Sequence, residues 1–193
     1  MTLTIMPHGI GEFEWQVVSR EIAALSPLAV YLEIGSMEGG SLWAFGRLFA
    51  PGNALIAVDR PIRHTRPKLE AVATKMRRLG YDIHLIIGSS HNSAITSAVD
   101  AALAGRTVDV LFIDGDHSAE GVRADVADYV PLVRPGGLVV MHDVGPMMGR
   151  HGPGPENITN CSAAWCYLAA RHKRKLIVQQ GAGYGMVWLD RTE

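Results

Sequence analysis

Five short apolar runs recur along the chain, each followed by a polar or glycine-rich step and then an amphipathic stretch. The runs are Ala29 to Ile34, Ala54 to Val58, Ile83 to Ile87, Val108 to Ile113 and Leu138 to Met141. Each is apolar along its length rather than alternating, as a strand buried on both faces requires. The first amphipathic stretch, Glu14 to Leu25, places Val17, Val18, Ile22 and Leu25 on one stripe, and Ser26-Pro27 stops it. Further helices are predicted over Ser41 to Phe49, Pro67 to Leu79, Asn92 to Leu103, Glu120 to Leu132 and Cys161 to Arg171. Pro51-Gly52, Gly80 and Pro135-Gly136-Gly137 read as turns between elements. Lys175 to Gln180 and Gly185 to Leu189 read as two closing strands around Gly181-Ala182-Gly183.

Alternation of strand and helix implies a mostly parallel sheet with helices on both faces. With the two closing strands, the expectation is an α/β protein with a Rossmann-like, doubly wound, seven-stranded sheet, forming one domain over residues 1–193. Residues 145–160 break the rhythm with Gly145-Pro146, Gly149, Gly152-Pro153-Gly154-Pro155 and Asn157. A loop that long inside a compact domain reads as a lid over an active site.

Composition narrows the function classes. The chain has 193 residues, 48% hydrophobic and 19% charged, with 18 basic against 19 acidic side chains and a net charge of −1. That balance offers no electrostatic footprint for nucleic acid. Arg77-Arg78 and the cluster from Arg171 to Lys175 read as solvated helix ends. No apolar run approaches the roughly 18 residues of a membrane span, and the N-terminus lacks a signal-peptide pattern. Cys161 and Cys166 form neither a metal spacing nor a disulfide framework. A reducing cytoplasm is the expected compartment.

The segment from Val30 to Ser41 carries the strongest chemical signal. An apolar strand ends in Glu33-Ile34-Gly35, and Ser36-Met37-Glu38-Gly39-Gly40-Ser41 leads into a helix. Such a junction lets backbone approach a ligand closely. A dinucleotide site wants Gly-x-Gly-x-x-Gly, whose second glycine lets backbone touch the pyrophosphate. Met37 stands there instead. A nucleoside carrying something other than phosphate fits better, and S-adenosylmethionine (SAM) is such a molecule.

Each later strand also ends in polar groups. The tips are Asp59, then Gly88-Ser89-Ser90-His91, then Asp114-Gly115-Asp116-His117, then His142-Asp143. In an open α/β sheet, ligands bind at these carboxyl ends. Asp59 follows Gly35 at the distance of an acid that accepts from a ribose diol, or it caps its own turn. Glu33 holds either a ligand's ammonium group or the loop's amides. His91 stacks on or bonds a base ring, or is a turn residue.

Asp114, Asp116, His117, His142 and Asp143 come from two strand ends, and neighbouring strands lie about 5 Å apart. Clustered carboxylates repel unless a cation or proton sits among them. A divalent metal is the simplest cation, with Mg²⁺, Mn²⁺ or Ca²⁺ favoured by oxygen ligands and Mn²⁺, Fe²⁺ or Zn²⁺ by a histidine. The plain alternative is that Asp116 and His117 cap the next helix and His142 fills core space.

These motifs resemble those of class I SAM-dependent methyltransferases. Leu32-Glu33-Ile34-Gly35 with Gly39 and Ser41, Phe112-Ile113-Asp114-Gly115-Asp116-His117, Val133-Arg134-Pro135-Gly136-Gly137 and His142-Asp143 carry the likeness. It is greatest to small metal-dependent O-methyltransferases of catechol type and to sugar and cephalosporin-pathway relatives. The resemblance implies that Glu33, Gly35 and Met37 line the methionine part of SAM, and that Ser41 binds its carboxylate. Asp59 would hold the ribose, and Ser90 and His91 would lie at the adenine. The implied cofactor set also includes Ser36, Gly39, Arg60, Ser89 and Asp114. Asp114, His142 and Asp143 would bind a divalent metal, Mg²⁺ or Mn²⁺. His117, three residues after the first metal aspartate, would be the general base.

One departure stands out. Catechol-type enzymes follow the second metal aspartate with asparagine, where this chain has Val144, and sugar-type relatives precede it with an acid, where this chain has His142. The expected activity is methyl transfer from SAM to an oxygen of a small hydroxylated molecule. Two other classes stay open: a non-catalytic SAM- or nucleoside-binding domain, and a metal-dependent hydrolase using the Asp/His cluster. The expected partner is a small-molecule methyl acceptor, with neither nucleic acid nor membrane, and with homo-oligomerisation open.

Overall fold

A computed structural model describes residues 12–145, 155–178 and 183–190. Its seven strands are β1 (Val30–Ile34), β2 (Ala54–Asp59), β3 (Asp82–Ile87), β4 (Val108–Ile113), β5 (Val133–His142), β6 (Arg174–Val178) and β7 (Tyr184–Trp188). They form one sheet in the order β3-β2-β1-β4-β5-β7-β6. β3, β2, β1, β4 and β5 pair in parallel. β7 pairs antiparallel with both β5 and β6. The expected doubly wound, mostly parallel sheet of seven strands is therefore the fold.

Side chains along each strand alternate between two cores. Tyr31, Leu55, Ala57, Val110, Phe112, Leu138 and Val140 face a core built with Val18 and Ile22 of α1 (Glu12–Ala23), Leu42 and Phe45 of α2 (Gly40–Gly46), and Leu69, Ala73 and Met76 of α3 (Arg66–Arg78). Val30, Leu32, Ile34, Ile56, Val58, Ile113 and Met141 face the other. That side takes Val99 and Leu103 of α4 (Ser93–Leu103), Val122 and Tyr129 of α5 (Ala119–Tyr129), and Trp165 and Leu168 of α6 (Pro155–Ala169). Helices thus cover both faces, and continuous apolar runs make sense at positions buried on either side. The Trp165 indole lies directly over Gly185 of β7, in the space a Cβ there would need.

Asp109 is an acid within the buried run of β4. Its Oδ2 accepts from the amides of Ala29 and Val30 at 2.7 and 2.8 Å, and its Oδ1 from Arg134 Nε. These bonds tie the entries of β1, β4 and β5 together at the edge remote from the strand tips.

Two boundaries differ most from the sequence expectation. Val133-Arg134-Pro135-Gly136-Gly137 is the first half of β5 rather than a turn before it. The strand pairs Val133 with Val108, then slips register to pair Leu138 with Val110. Gly136 donates to Leu189 O and Leu189 to Gly137 O, at 2.8 and 3.0 Å, so the glycines keep strand-like partners. The second difference concerns the lid expected over 145–160. The chain is helical from Pro155, where proline suits the first turn of a helix because no intrahelical N–H is needed there. Residues 146–154 of that lid lie outside the described residues. No described helix is long and apolar enough to cross a membrane.

Candidate active site

The chain winds outward from β1 through β2 to β3, then returns to β4 on the other flank of β1. The carboxyl ends of β1 and β4 therefore splay apart around a crevice, the usual ligand position in such sheets. A cavity of about 1260 Å³ occupies it. Of the predicted site residues, Gly35, Ser36, Met37, Gly39, Ser41, Asp59, Arg60, Ser89, Ser90, His91, Asp114, His117, His142 and Asp143 all line this cavity. Glu33 does not. Trp43 and His64 do, although neither stands out in the sequence.

Gly35 sits at the centre. Its N–H donates to Val58 O at 2.9 Å, and the Asp114 N–H donates to Ile34 O at 2.8 Å, so the loop leaves β1 clamped between the tips of β2 and β4. Gly35 has φ +87, and a Cβ there would collide with the backbone carbonyl of Asp114. Only glycine meets both conditions. Met37, with φ 46, also adopts the left-handed region, and its side chain is 58% exposed. A non-glycine residue held this way costs roughly 1–3 kcal/mol.

The strain is offset by Asp59. Its Oδ2 accepts from Ser36 N at 2.5 Å and from Met37 N. This carboxylate therefore braces the loop, and Oδ1 is the oxygen left for a ligand. Burial raises the Asp59 carboxyl pKa, against the two loop amides that lower it.

Glu33 lies beneath the loop, fully buried. Tyr31 Oη donates to Oε2 at 2.5 Å and Ser41 Oγ to Oε1 at 2.9 Å. Burial pushes its carboxyl up to about 7, although the hydroxyl donors pull the other way. Glu33 fixes the Ser41 side chain at the start of α2, so any influence on a bound molecule passes through Ser41 or through charge.

At the β3 tip, Tyr129 Oη donates to Ser90 O at 2.7 Å. His91 Nε2 lies 3.2 Å from Oδ1 of the buried Asp125. Asp125 escaped the sequence reading because a helix with alternating charges looks solvated. The available signal was its spacing from Gly121, Val122 and Tyr129, the buried face of α5.

The β4 and β5 tips bring two carboxylates and two imidazoles together. Asp114 Oδ1 lies 3.2 Å from both His117 Nε2 and His142 Nδ1. Asp143 Oδ2 lies 3.4 Å from His117 Nε2 and 3.2 Å from His142 Nδ1. Each histidine thus braces both acids. Burial opposes the charge on Asp114, yet the bonds from His117 and His142 hold its carboxyl below the ordinary value. The bond to Asp114 raises His117. Burial works against a charged His142, but its two carboxylate partners prevail and lift it to about 10. The His142 ring packs against Tyr184 at 4.5 Å between centroids. Asp143 has φ 56, a backbone that aspartate tolerates better than most residues.

Asp116 does not join this group. Its Oδ1 accepts from Ser118 N at 2.8 Å at the start of α5, and Gly121 leaves room for its side chain. This bond closes the turn before α5, whose N-cap is Ser118, with Ser118 Oγ accepting from Gly121 N at 3.0 Å.

The donor set suits a cation. One ligand atom each from Asp114, His117 and Asp143 lie within 4.8 Å of one another. Two carboxylate oxygens with imidazole nitrogen favour Mn²⁺, Fe²⁺ or Zn²⁺ over the all-oxygen preference of Mg²⁺. The triad takes in His117, expected as a base, so the ligand and base roles compete at that side chain. His142, expected as a ligand, reaches the same two acids through Nδ1.

The parallel sheet, the glycine loop between the tips of β2 and β4 and the acid after β2 together define the class I SAM-dependent methyltransferase fold. The family model described as Methyltransferase domain matches residues 32–144. That span is more than half of the chain, and the chain belongs to this family. Solved structures agree in fold. An O-methyltransferase from Bacillus cereus in complex with SAH (S-adenosylhomocysteine) is 16% identical, with a TM-score of 0.68, covering 96% of this chain and 84% of that one. TomG from Streptomyces achromogenes, an O-methyltransferase involved in tomaymycin synthesis and solved with SAM, is 16% identical with a TM-score of 0.70, covering 97% and 83%. Among curated proteins, an uncharacterized protein of Acanthamoeba polyphaga mimivirus is 34% identical over 114 residues. That match spans 58% of this chain and 50% of the viral protein, so the chain aligns with half the length of that relative.

Proposed function

We propose that this methyltransferase binds SAM in the crevice and transfers its methyl group to an oxygen of a small hydroxylated acceptor. The observation that carries the reading is the shared cavity. The loop braced by Asp59 and the acid–imidazole cluster of Asp114, His117 and Asp143 open into the same space. Structural relatives solved with SAM or SAH support the cofactor.

SAM fits the residues of the crevice. Asp59 Oδ1 is placed to accept from a ribose hydroxyl, and Ser90 and His91 offer polar groups for a base. The sulfonium is an activated donor, so the protein's work is to align an in-line displacement. The acceptor hydroxyl gives its proton to Nδ1 of His117, whose Nε2–H stays on the carboxylates of Asp114 and Asp143, as its oxygen attacks the methyl carbon. The carbon–sulfur bond breaks, and its electron pair stays on sulfur, leaving SAH. His117 is suited to take that proton because the neighbouring carboxylates stabilise its charged form. A divalent cation held by Asp114 and Asp143 would lower the acceptor's pKa.

A second reading comes from His142. Its Nδ1 already sits 3.2 Å from both acids, and its pKa of about 10 makes it a cation at neutral pH. Imidazolium then offsets one of the two carboxylate charges, and transfer proceeds without metal. Membership of a methyltransferase family favours either version over hydrolysis.

Calorimetric titration with SAM and SAH tests the cofactor, and absence of binding at millimolar ligand overturns it. With a true acceptor in hand, EDTA separates the two versions. Loss of activity restored by Mn²⁺ supports the cation, and unchanged activity supports His142.

A further inference from the structure

Asp125 stands near the crevice, and neither loop scaffolding nor the transfer chemistry uses it. It is 0% exposed, and the Ser90 hydroxyl and His91 imidazole lie beside its carboxylate without either completing a hydrogen bond of good geometry. An acid left in that state costs folding energy unless some condition satisfies it. Ser90, His91 and Gly115 define its place. His91 Nε2 is 3.2 Å from Oδ1. A Cβ on Gly115 would lie 3.1 Å from Oδ2, so glycine at that β4-tip position leaves room for the acid. Gly115 and His91 line the cavity while Asp125 stands behind them.

We propose that Asp125 is a positioning residue that selects a 6-aminopurine ring through His91. This rests on the reading of the crevice as a SAM site with the base near the β3 tip. A small turn of the imidazole completes an Nε2–H bond to Asp125, since only 3.2 Å separates the atoms. A neutral imidazole has one N–H, so binding it at Nε2 leaves Nδ1 as an acceptor. An acceptor directed at the ring edge matches the exocyclic amine of adenine. It meets the 6-oxo group of hypoxanthine lone pair to lone pair. The acid thereby turns a histidine, which offers either polarity, into a fixed acceptor. Asp125 is buried where water cannot compete for it, and burial also raises its carboxyl pKa.

The test uses the full chain with two ligands, SAH and S-inosyl-L-homocysteine, titrated calorimetrically at about pH 8. Native protein should prefer SAH by about tenfold or more, the usual effect of an unmatched buried polar pair. Asp125→Asn should cut that ratio severalfold, because an amide lets either imidazole nitrogen carry the proton. A purely structural role would weaken both ligands alike and keep the ratio. A second measurement needs no Asp125 variant. The ¹⁵N spectrum of SAH-bound native protein, with the His91 signal assigned by its loss in His91→Gln, should show a protonated Nε2 and a bare Nδ1. SAH binding without discrimination, an unchanged ratio in Asp125→Asn, or a protonated Nδ1 overturns the proposal and leaves the cofactor reading standing. Failure of native protein to bind SAH overturns both.

Discussion

Glu33→Gln isolates the energetic consequence of a carboxyl sealed beneath the cofactor loop. In the folded protein its pKa is about 7, against 4.5 for the ordinary group. Between those values the folded chain holds a proton that the unfolded chain has released. The unfolded state binds fewer protons there, so stability falls as pH rises through the window. A gap of about 2.5 units corresponds to about 3 kcal/mol. Glutamine keeps the shape and cannot ionise, so this dependence vanishes. At pH 4.5 the variant should be about 1 kcal/mol less stable, because an amide keeps one acceptor where Tyr31 and Ser41 both donate. Above pH 7 the order reverses, and the variant should be more stable by about 2 kcal/mol. Urea unfolding of both proteins at stepped pH gives the difference curve. It should slope by about 3 kcal/mol across the window and be flat above it. A flat difference from pH 4.5 to 7 would refute the assignment of a protonated buried acid.

Three further outcomes follow from the geometry. Gly35→Ala forces a left-handed alanine against the Asp114 carbonyl, and should cost more than about 2 kcal/mol in urea unfolding and abolish SAM binding in calorimetry. Asp109→Ala leaves two amides and Arg134 without their acceptor, and should lower stability by about 3 kcal/mol while SAH affinity in the folded protein stays within twofold of native, roughly the scatter of distant sites. His117→Ala should reduce kcat by about 100-fold with little change in SAM affinity. A fall in affinity that matches the fall in kcat would place His117 in cofactor binding instead.

The strands and their tips were legible because parallel strands buried on both faces leave an unbroken apolar signature. The order of polar tips then located the crevice, since such sheets concentrate ligands at one edge. Glycine and proline misled in two places. At Pro135-Gly136-Gly137 the chain stays extended because β7 continues past Trp188 to pair Leu189 with Gly136 and Gly137, a long-range partnership that local turn chemistry does not reveal. At Pro155 a helix begins where the composition reads as loop, because proline is as good a helix opener as it is a breaker. The acids that matter behind the site were hidden for a different reason. Asp125 and Asp109 are single polar letters on otherwise apolar faces, and their partners lie 34 and 25 or more residues away. Ser36, Met37 and Asp59 were visible as a group, but not that one carboxylate oxygen would spend itself on the loop's own amides.

The indole resting on Gly185 couples the antiparallel flank of the sheet to the reacting end. Trp165 belongs to the same helix as Asn160, whose side-chain amide donates to the carbonyl of His117 at 3.1 Å. Gly185 pairs with Met141, two positions before Asp143. A methyl group added at Gly185 would have to displace this indole, which belongs to the helix that supports His117. Substitution at this glycine therefore reaches the His117 end of the crevice through a residue outside the cavity lining.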